Sequence, residues 1–120
     1  MGKRILLCDD TEFIRLTLSN VLIANGYDIV GQASNGEEAI KLYDELLPDL
    51  VFMDIVMPKM DGISAVRAIH MSHPDANIII CSSMGQQTKV VEAVQAGAKD
   101  YIIKPFTNDT ILNTVKKCLK

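Results

Sequence analysis

Long apolar runs are missing from this sequence. No stretch approaches the roughly 20 apolar residues of a membrane-spanning helix, so neither a transmembrane anchor nor a membrane partner is expected. A secretory signal is missing as well. MGKRILLCDD starts basic, but its apolar stretch stops at Cys8, before two aspartates. Leu6 stands where a myristoylation motif wants Ser or Thr. No excess of one charge is present: 15 acidic and 12 basic residues leave −3. That balance gives no electrostatic reason to bind nucleic acid. Cysteines are few, odd in number and free of CxxC spacing: Cys8, Cys81 and Cys118. They read as small core hydrophobes, which suits a reducing compartment and a cytoplasmic location. Linkers, low-complexity segments and repeats longer than one strand-helix unit are absent too, so residues 1–120 are expected to form one domain.

What is present alternates regularly. RILLC is a short apolar run that fits a buried strand. Phe13, Ile14, Leu18, Val21 and Leu22 then recur at helical spacing, and Asn25-Gly26 stops the helix. YDIVGQA reads as a second strand, and Ser34 and Glu37 are spaced as a capping box for the next helix, which Pro48 ends. DLVFM, NIIIC and DYIIK are three further strands. Between them run a helix carrying Ile63, Val66 and Ile69, closed near Pro74, and a helix TKVVEAVQA stopped by Gly97. A last helix is capped at Thr107 or Asn108 and ends in Lys116, Lys117 and Lys120, read as a solvated end. Strict strand-helix alternation predicts an α/β domain. It should be a parallel sheet with helices on both faces and right-handed crossovers.

LVFMDIVMP poses a sharper question, because a lone carboxylate among apolar residues is costly to bury. Asp54 should therefore sit at the rim of the core or meet a cation. Asp9 and Asp10 follow the first strand, Asp54 the third, Ser82 and Ser83 the fourth, and Lys104 the fifth, directly before Pro105. The carboxyl ends of parallel strands share one edge, where ligands bind. Taken singly, the paired aspartates read as a helix-capping turn, the lysine as solvated and the serine as a turn residue. Taken together, three carboxylates suit Mg²⁺, and one of them can attack phosphorus to form an acyl phosphate. Lys104 can then pair with a phosphoryl oxygen and Ser82 can donate to another.

ILLCDD, DLVFMDIVMPKMDG, IIICSS and GAKDYIIKPF closely resemble the receiver domain of two-component response regulators, in order and spacing across the whole chain. The resemblance implies a flavodoxin-like (βα)5 fold with strand order 2-1-3-4-5. It implies Asp54 as the acceptor of a phosphoryl group from a histidine kinase. Asp9, Asp10, Asp54 and the backbone carbonyl of Val56 would lie at a Mg²⁺ ion, with Asp10 a direct ligand. Lys104 would contact the phosphoryl group, the Lys104–Pro105 bond would be cis, and Ser82 would be the switch hydroxyl. Tyr101 would be an aromatic that turns inward on activation. Tyr101 and Val90 are candidate contacts on a partner-binding face of the fourth helix, fifth strand and fifth helix.

SSMGQQ and GAKDYIIKPF look like chemotaxis regulators of the CheY type. That likeness implies a CheA-like histidine kinase, a flagellar motor switch protein as output and a monomeric chain acting through partners. A stand-alone phosphorelay or sporulation-type receiver is the alternative. Two positions depart from many relatives: Val56 and Met84 are apolar where polar side chains orient a hydrolytic water. Slow dephosphorylation and a separate phosphatase are therefore expected. A Mg²⁺-dependent aspartyl-phosphate phosphohydrolase of the haloacid dehalogenase kind would want a second aspartate at Val56. A flavin carrier would want a hydroxyl- and glycine-rich loop where DDTEF stands. A scaffold that never takes phosphate is the blandest reading. His70 and His73 lie at i and i+3 without a visible acidic partner and read as surface histidines.

Overall fold

Strands apolar on both sides decide the layers of this molecule. β1 (Arg4–Cys8), β2 (Asp28–Ala33), β3 (Leu50–Asp54), β4 (Ile78–Ser83) and β5 (Asp100–Lys104) form one parallel sheet in the order β2-β1-β3-β4-β5. α1 (Glu12–Ala24), α2 (Gly36–Leu46), α3 (Gly62–Ser72), α4 (Gln87–Ala96) and α5 (Asn108–Cys118) alternate with them. This is the flavodoxin-like (βα)5 arrangement expected. The computed structural model describes residues 2–119, so Lys120 lies outside the described residues.

Side chains of the central strands alternate between two cores. Leu6, Cys8, Val51, Met53, Ile78 and Ile80 meet Ala39 and Tyr43 of α2, Val66 and Ile69 of α3, and Ala93 of α4. Ile5, Leu7, Phe52, Ile79 and Cys81 meet Leu18 and Leu22 of α1 and Ile111 and Val115 of α5. Burial on both faces explains why these strands read as unbroken apolar runs. Cys8 and Cys81 are buried, Cys118 is half-buried, and all three thiols are free.

Helix ends depart from the sequence reading in small ways. The box at the start of α2 is shifted by one residue. Asn35, not Ser34, is the N-cap and accepts from the Glu38 N–H at 2.8 Å. Glu38, not Glu37, reaches back to the Ser34 N–H at 2.8 Å. α2 ends at Leu46, and Leu47 takes the left-handed conformation before Pro48. Thr107 caps α5 by accepting from the Thr110 N–H. At the far end Lys117 is not merely solvated, because its Nζ lies 2.9 Å from Asp100 Oδ2.

The histidines also need correction. His73 has an acidic partner, from a helix distant in sequence: Nε2 lies 2.9 Å from Asp44 Oδ1, and the ring packs 4.8 Å from that of Tyr43. His70 is half-buried and lies against Gly97, where an added Cβ would come within 2.5 Å of its ring. Both histidines thus join elements at the end of α3.

Candidate functional site

Parallel pairing carries the strand ends to one edge of the sheet. Cys8 pairs with Met53, Asp54 with Cys81, and Ser83 with Lys104. Asp9 and Asp10 leave β1 at that edge. Asp54 is the last residue of β3, Ser82 the last but one of β4, and Lys104 the last of β5. Asp54, Ser82 and Lys104 are therefore in the strands rather than just beyond them. Hydrogen bonding to the neighbouring strands fixes their backbones.

Lys104 joins the two deepest carboxylates. Its Nζ lies 3.0 Å from Asp9 Oδ2 and 3.2 Å from Asp54 Oδ1. Asp9 and Asp54 are only 1% and 7% exposed, so one ammonium serves two buried carboxylates. The balance stays negative, and Asp54 responds. Burial first, then the charge of Asp9 and to a lesser extent Asp10, push its carboxyl up to about 6, against the pull of Lys104. Burial acts to lower the Lys104 ammonium, but the hydrogen bond it donates to Asp9 and the charges of Asp54 and Asp9 outweigh that and leave it raised.

Asp10 is exposed and completes a trio. Single carboxylate oxygens of Asp9, Asp10 and Asp54 lie within 4.8 Å of one another. Hard oxygen donors with one solvent-facing member fit Mg²⁺, which takes a few carboxylates and keeps several waters. A softer metal would want sulfur or imidazole. Cys8 and Cys81 face the cores, and burial pushes both thiols up, so they stay protonated. The residues present therefore fit Mg²⁺. A dication there would offset the negative balance that raises Asp54.

The loops around the trio are held by backbone contacts. The Asp9 N–H donates to the Ala33 carbonyl at 3.0 Å, and the Thr11 N–H donates to Asp9 Oδ1 at 2.9 Å. The Gly36 N–H ties α2 to the Met60 carbonyl in the β3–α3 loop at 2.9 Å. Gly62 closes that loop, with its N–H on the Ile55 carbonyl at 2.8 Å. A Cβ on Gly62 would lie 1.8 Å from the Asp54 carbonyl oxygen, so only glycine fits there. Sequence reading passed over Gly62, which looks like an ordinary residue at a helix start. It also missed Arg15, whose Nη1 donates to the Asp9 carbonyl from α1. No strand end marks that position.

The remaining candidates lie on β4, β5, α4 and the loops after β3 and β4. Ser82 is 1% exposed. Val56 and Met84, two residues after Asp54 and Ser82, are 61% and 79% exposed. Tyr101 is 45% exposed. Val90 is not a freely exposed contact. It is half-buried and packs on the core beside α3, because α4 turns Ala93 and Ala96 inward and Val90 follows them. It still lines an apolar groove of about 480 Å³ between α4 and β5, together with Val91, Val94, Tyr101 and Ile103. The Lys104–Pro105 bond is cis. Among the described residues no helix is long and apolar enough to cross a membrane.

Comparisons with known proteins agree on one family. The response regulator receiver domain matches residues 5–116. The chain is 48% identical over 120 residues to the chemotaxis protein CheY of Thermotoga maritima, covering 100% of both. It is 49% identical over 119 residues to the CheY of Bacillus subtilis, covering 99% of both. Among solved structures it resembles a CheX–CheY–BeF3–Mg complex from Borrelia burgdorferi. That match has a TM-score of 0.94 and 32% identity, and it covers 98% of this chain and 90% of that one. A CheY-like receiver domain from Methanospirillum hungatei matches with a TM-score of 0.91 and 27% identity over 99% of this chain and 94% of that one.

Proposed function

The chain belongs to the response regulator receiver domain family, and on that premise we propose that it is a phosphorylation-switched regulator of chemotaxis whose phosphoacceptor is Asp54. The observation that carries the proposal is the shared lysine: Nζ lies 3.0 Å from Asp9 and 3.2 Å from Asp54 at the edge where three carboxylates converge. That arrangement holds an ammonium beside the attacking carboxylate, where its charge meets that of the incoming phosphoryl group.

A phosphohistidine of a CheA-like kinase is the donor. A carboxylate oxygen of Asp54 attacks phosphorus and the P–N bond breaks as the P–O bond forms; the phosphohistidine ring, protonated on its other nitrogen, keeps that proton and the bonding pair and departs as neutral imidazole. Asp9, Asp10, Asp54 and the backbone carbonyl of Val56 would hold Mg²⁺, which supplies charge neutralisation for the phosphoryl oxygens. Lys104 keeps a point charge on one phosphoryl oxygen. Ser82 donates its hydroxyl to another. That move vacates space beside β4, Tyr101 turns toward it, and the groove between α4 and β5 changes shape. Both side chains two residues after Asp54 and Ser82 are apolar, so neither can orient a hydrolytic water. Decay is therefore slow, and a separate phosphatase ends the signal. Output is to a flagellar motor switch protein in the cytoplasm, with the chain acting as a monomer.

Incubation with acetyl phosphate and Mg²⁺, read by intact mass, tests the chemistry. The chain gains one labile phosphoryl group; Asp54→Asn and chelation each abolish the gain. Labelling that survives in Asp54→Asn contradicts the assignment. Capture of flagellar switch proteins only with beryllofluoride and Mg²⁺ present supports the biology. Equal capture without them counts against a phosphorylation-dependent output.

A further inference from the structure

Asp9 uses every polar atom it has. Its N–H donates to the Ala33 carbonyl at 3.0 Å, its Oδ1 accepts from the Thr11 N–H at 2.9 Å, and its Oδ2 accepts from Lys104 at 3.0 Å. Its carbonyl accepts from Arg15 Nη1. The first three contacts come from the loop itself, from β2 and from β5. The fourth comes from a half-buried side chain on α1 that is itself held. Arg15 Nε donates to Oε1 of Gln32 at 2.9 Å. Gln32 is an exposed residue of β2, one position before the Ala33 whose carbonyl takes the Asp9 N–H. The guanidinium is a rigid fork, so fixing Nε at Gln32 fixes where Nη1 points.

We propose that Arg15, braced by Gln32, is a positioning residue for the acidic pair: it clamps the Asp9 carbonyl and so sets the Asp9 and Asp10 carboxylates for Mg²⁺. The inference rests on the Mg²⁺ reading of the site. In that reading neither residue is a ligand of the ion; Arg15 reaches only the Asp9 carbonyl and Gln32. Residues that orient ligands from behind typically change metal affinity about 10- to 100-fold when lost. Acting through a backbone carbonyl, this strut should contribute less.

The sign of the effect separates a strut from a charge. Arg15 is a cation close to a cationic ligand's site. If it acted only through its charge, its removal would tighten Mg²⁺ binding. If it positions the loop, removal weakens binding. Gln32 carries no charge, so its removal isolates the brace.

Calorimetric titration of Mg²⁺ into the full chain, with urea melts in EDTA alongside, decides the matter. Arg15→Gln should weaken Mg²⁺ binding about 3- to 10-fold and Gln32→Ala about 3-fold. Arg15→Lys keeps the charge but not the fork, and should bind no better than Gln32→Ala. Binding as tight as the unsubstituted chain, or tighter, in Arg15→Gln or Gln32→Ala overturns the proposal. Should Arg15→Gln fail to fold, the exposed Gln32→Ala carries the test. Failure of the unsubstituted chain to bind Mg²⁺ would instead overturn the parent reading, and the strut with it.

Discussion

Asp54 combines two demands that pull against each other. As the proposed nucleophile it must be ionised, yet it is 7% exposed beside a second buried carboxylate. Its carboxyl is pushed up to about 6 from an ordinary 3.8. The folded state therefore holds a proton on Asp54 that the unfolded state releases at lower pH. Metal-free stability should fall as pH rises from about 4 to about 6, by about 2–3 kcal/mol in all. Urea melts in EDTA across that range measure it. Asp54→Asn should remove the decline, and a slope that persists there places the titration elsewhere. Lys104→Ala strands Asp9 and Asp54 together and should cost about 2–4 kcal/mol in the same buffer, with Mg²⁺ restoring part of the loss. In the proposed mechanism Val56 and Met84 bear on lifetime. Acyl-phosphate decay should be slow in the isolated chain and faster in Val56→Asn, as timed by loss of label. Decay within seconds in the unsubstituted chain refutes the role given to these two side chains.

Between elements, the loops matter more than the helices. Gly62→Ala should destabilise strongly, because its Cβ would lie 1.8 Å from the Asp54 carbonyl oxygen and the β3–α3 loop must move. Asn35→Ala should cost about 1 kcal/mol through its lost cap on α2. Thermal melts rank the two, and Gly62 should be the more sensitive position. This is also the scale at which the sequence is least legible. Strands were readable because both faces are buried, and Asp54 was conspicuous because its neighbours are apolar. Ser34 and Asn35 are both good caps, however, and Glu37 and Glu38 both follow at workable spacing. The Gly36 N–H bond to Met60, made 24 residues away, favours one register over the other. The Asp44 partner of His73 comes from another helix. Val90 and Val91 are adjacent, and only the rotation of α4 on its core decides which turns inward. These three misses arose where contacts between elements decided what the local sequence left open.

For the whole molecule, folding and ion binding should be coupled. The site's negative balance is intrinsic to the fold, and the carboxylates that fit Mg²⁺, Asp9, Asp10 and Asp54, come together only in the folded chain. Saturation at 100 times Kd should add about 2.7 kcal/mol of stability, or a rise in Tm of roughly 10 °C for a chain of this size. The most direct test of the central claim is chemical mapping of the acyl phosphate. The chain is labelled with acetyl phosphate and Mg²⁺, reduced with borohydride, digested and sequenced by mass spectrometry. Reduction of an aspartyl phosphate leaves homoserine, and homoserine is expected at residue 54 alone. Homoserine at residue 9 or 10, or phosphate retained on a hydroxyl or imidazole, would contradict it.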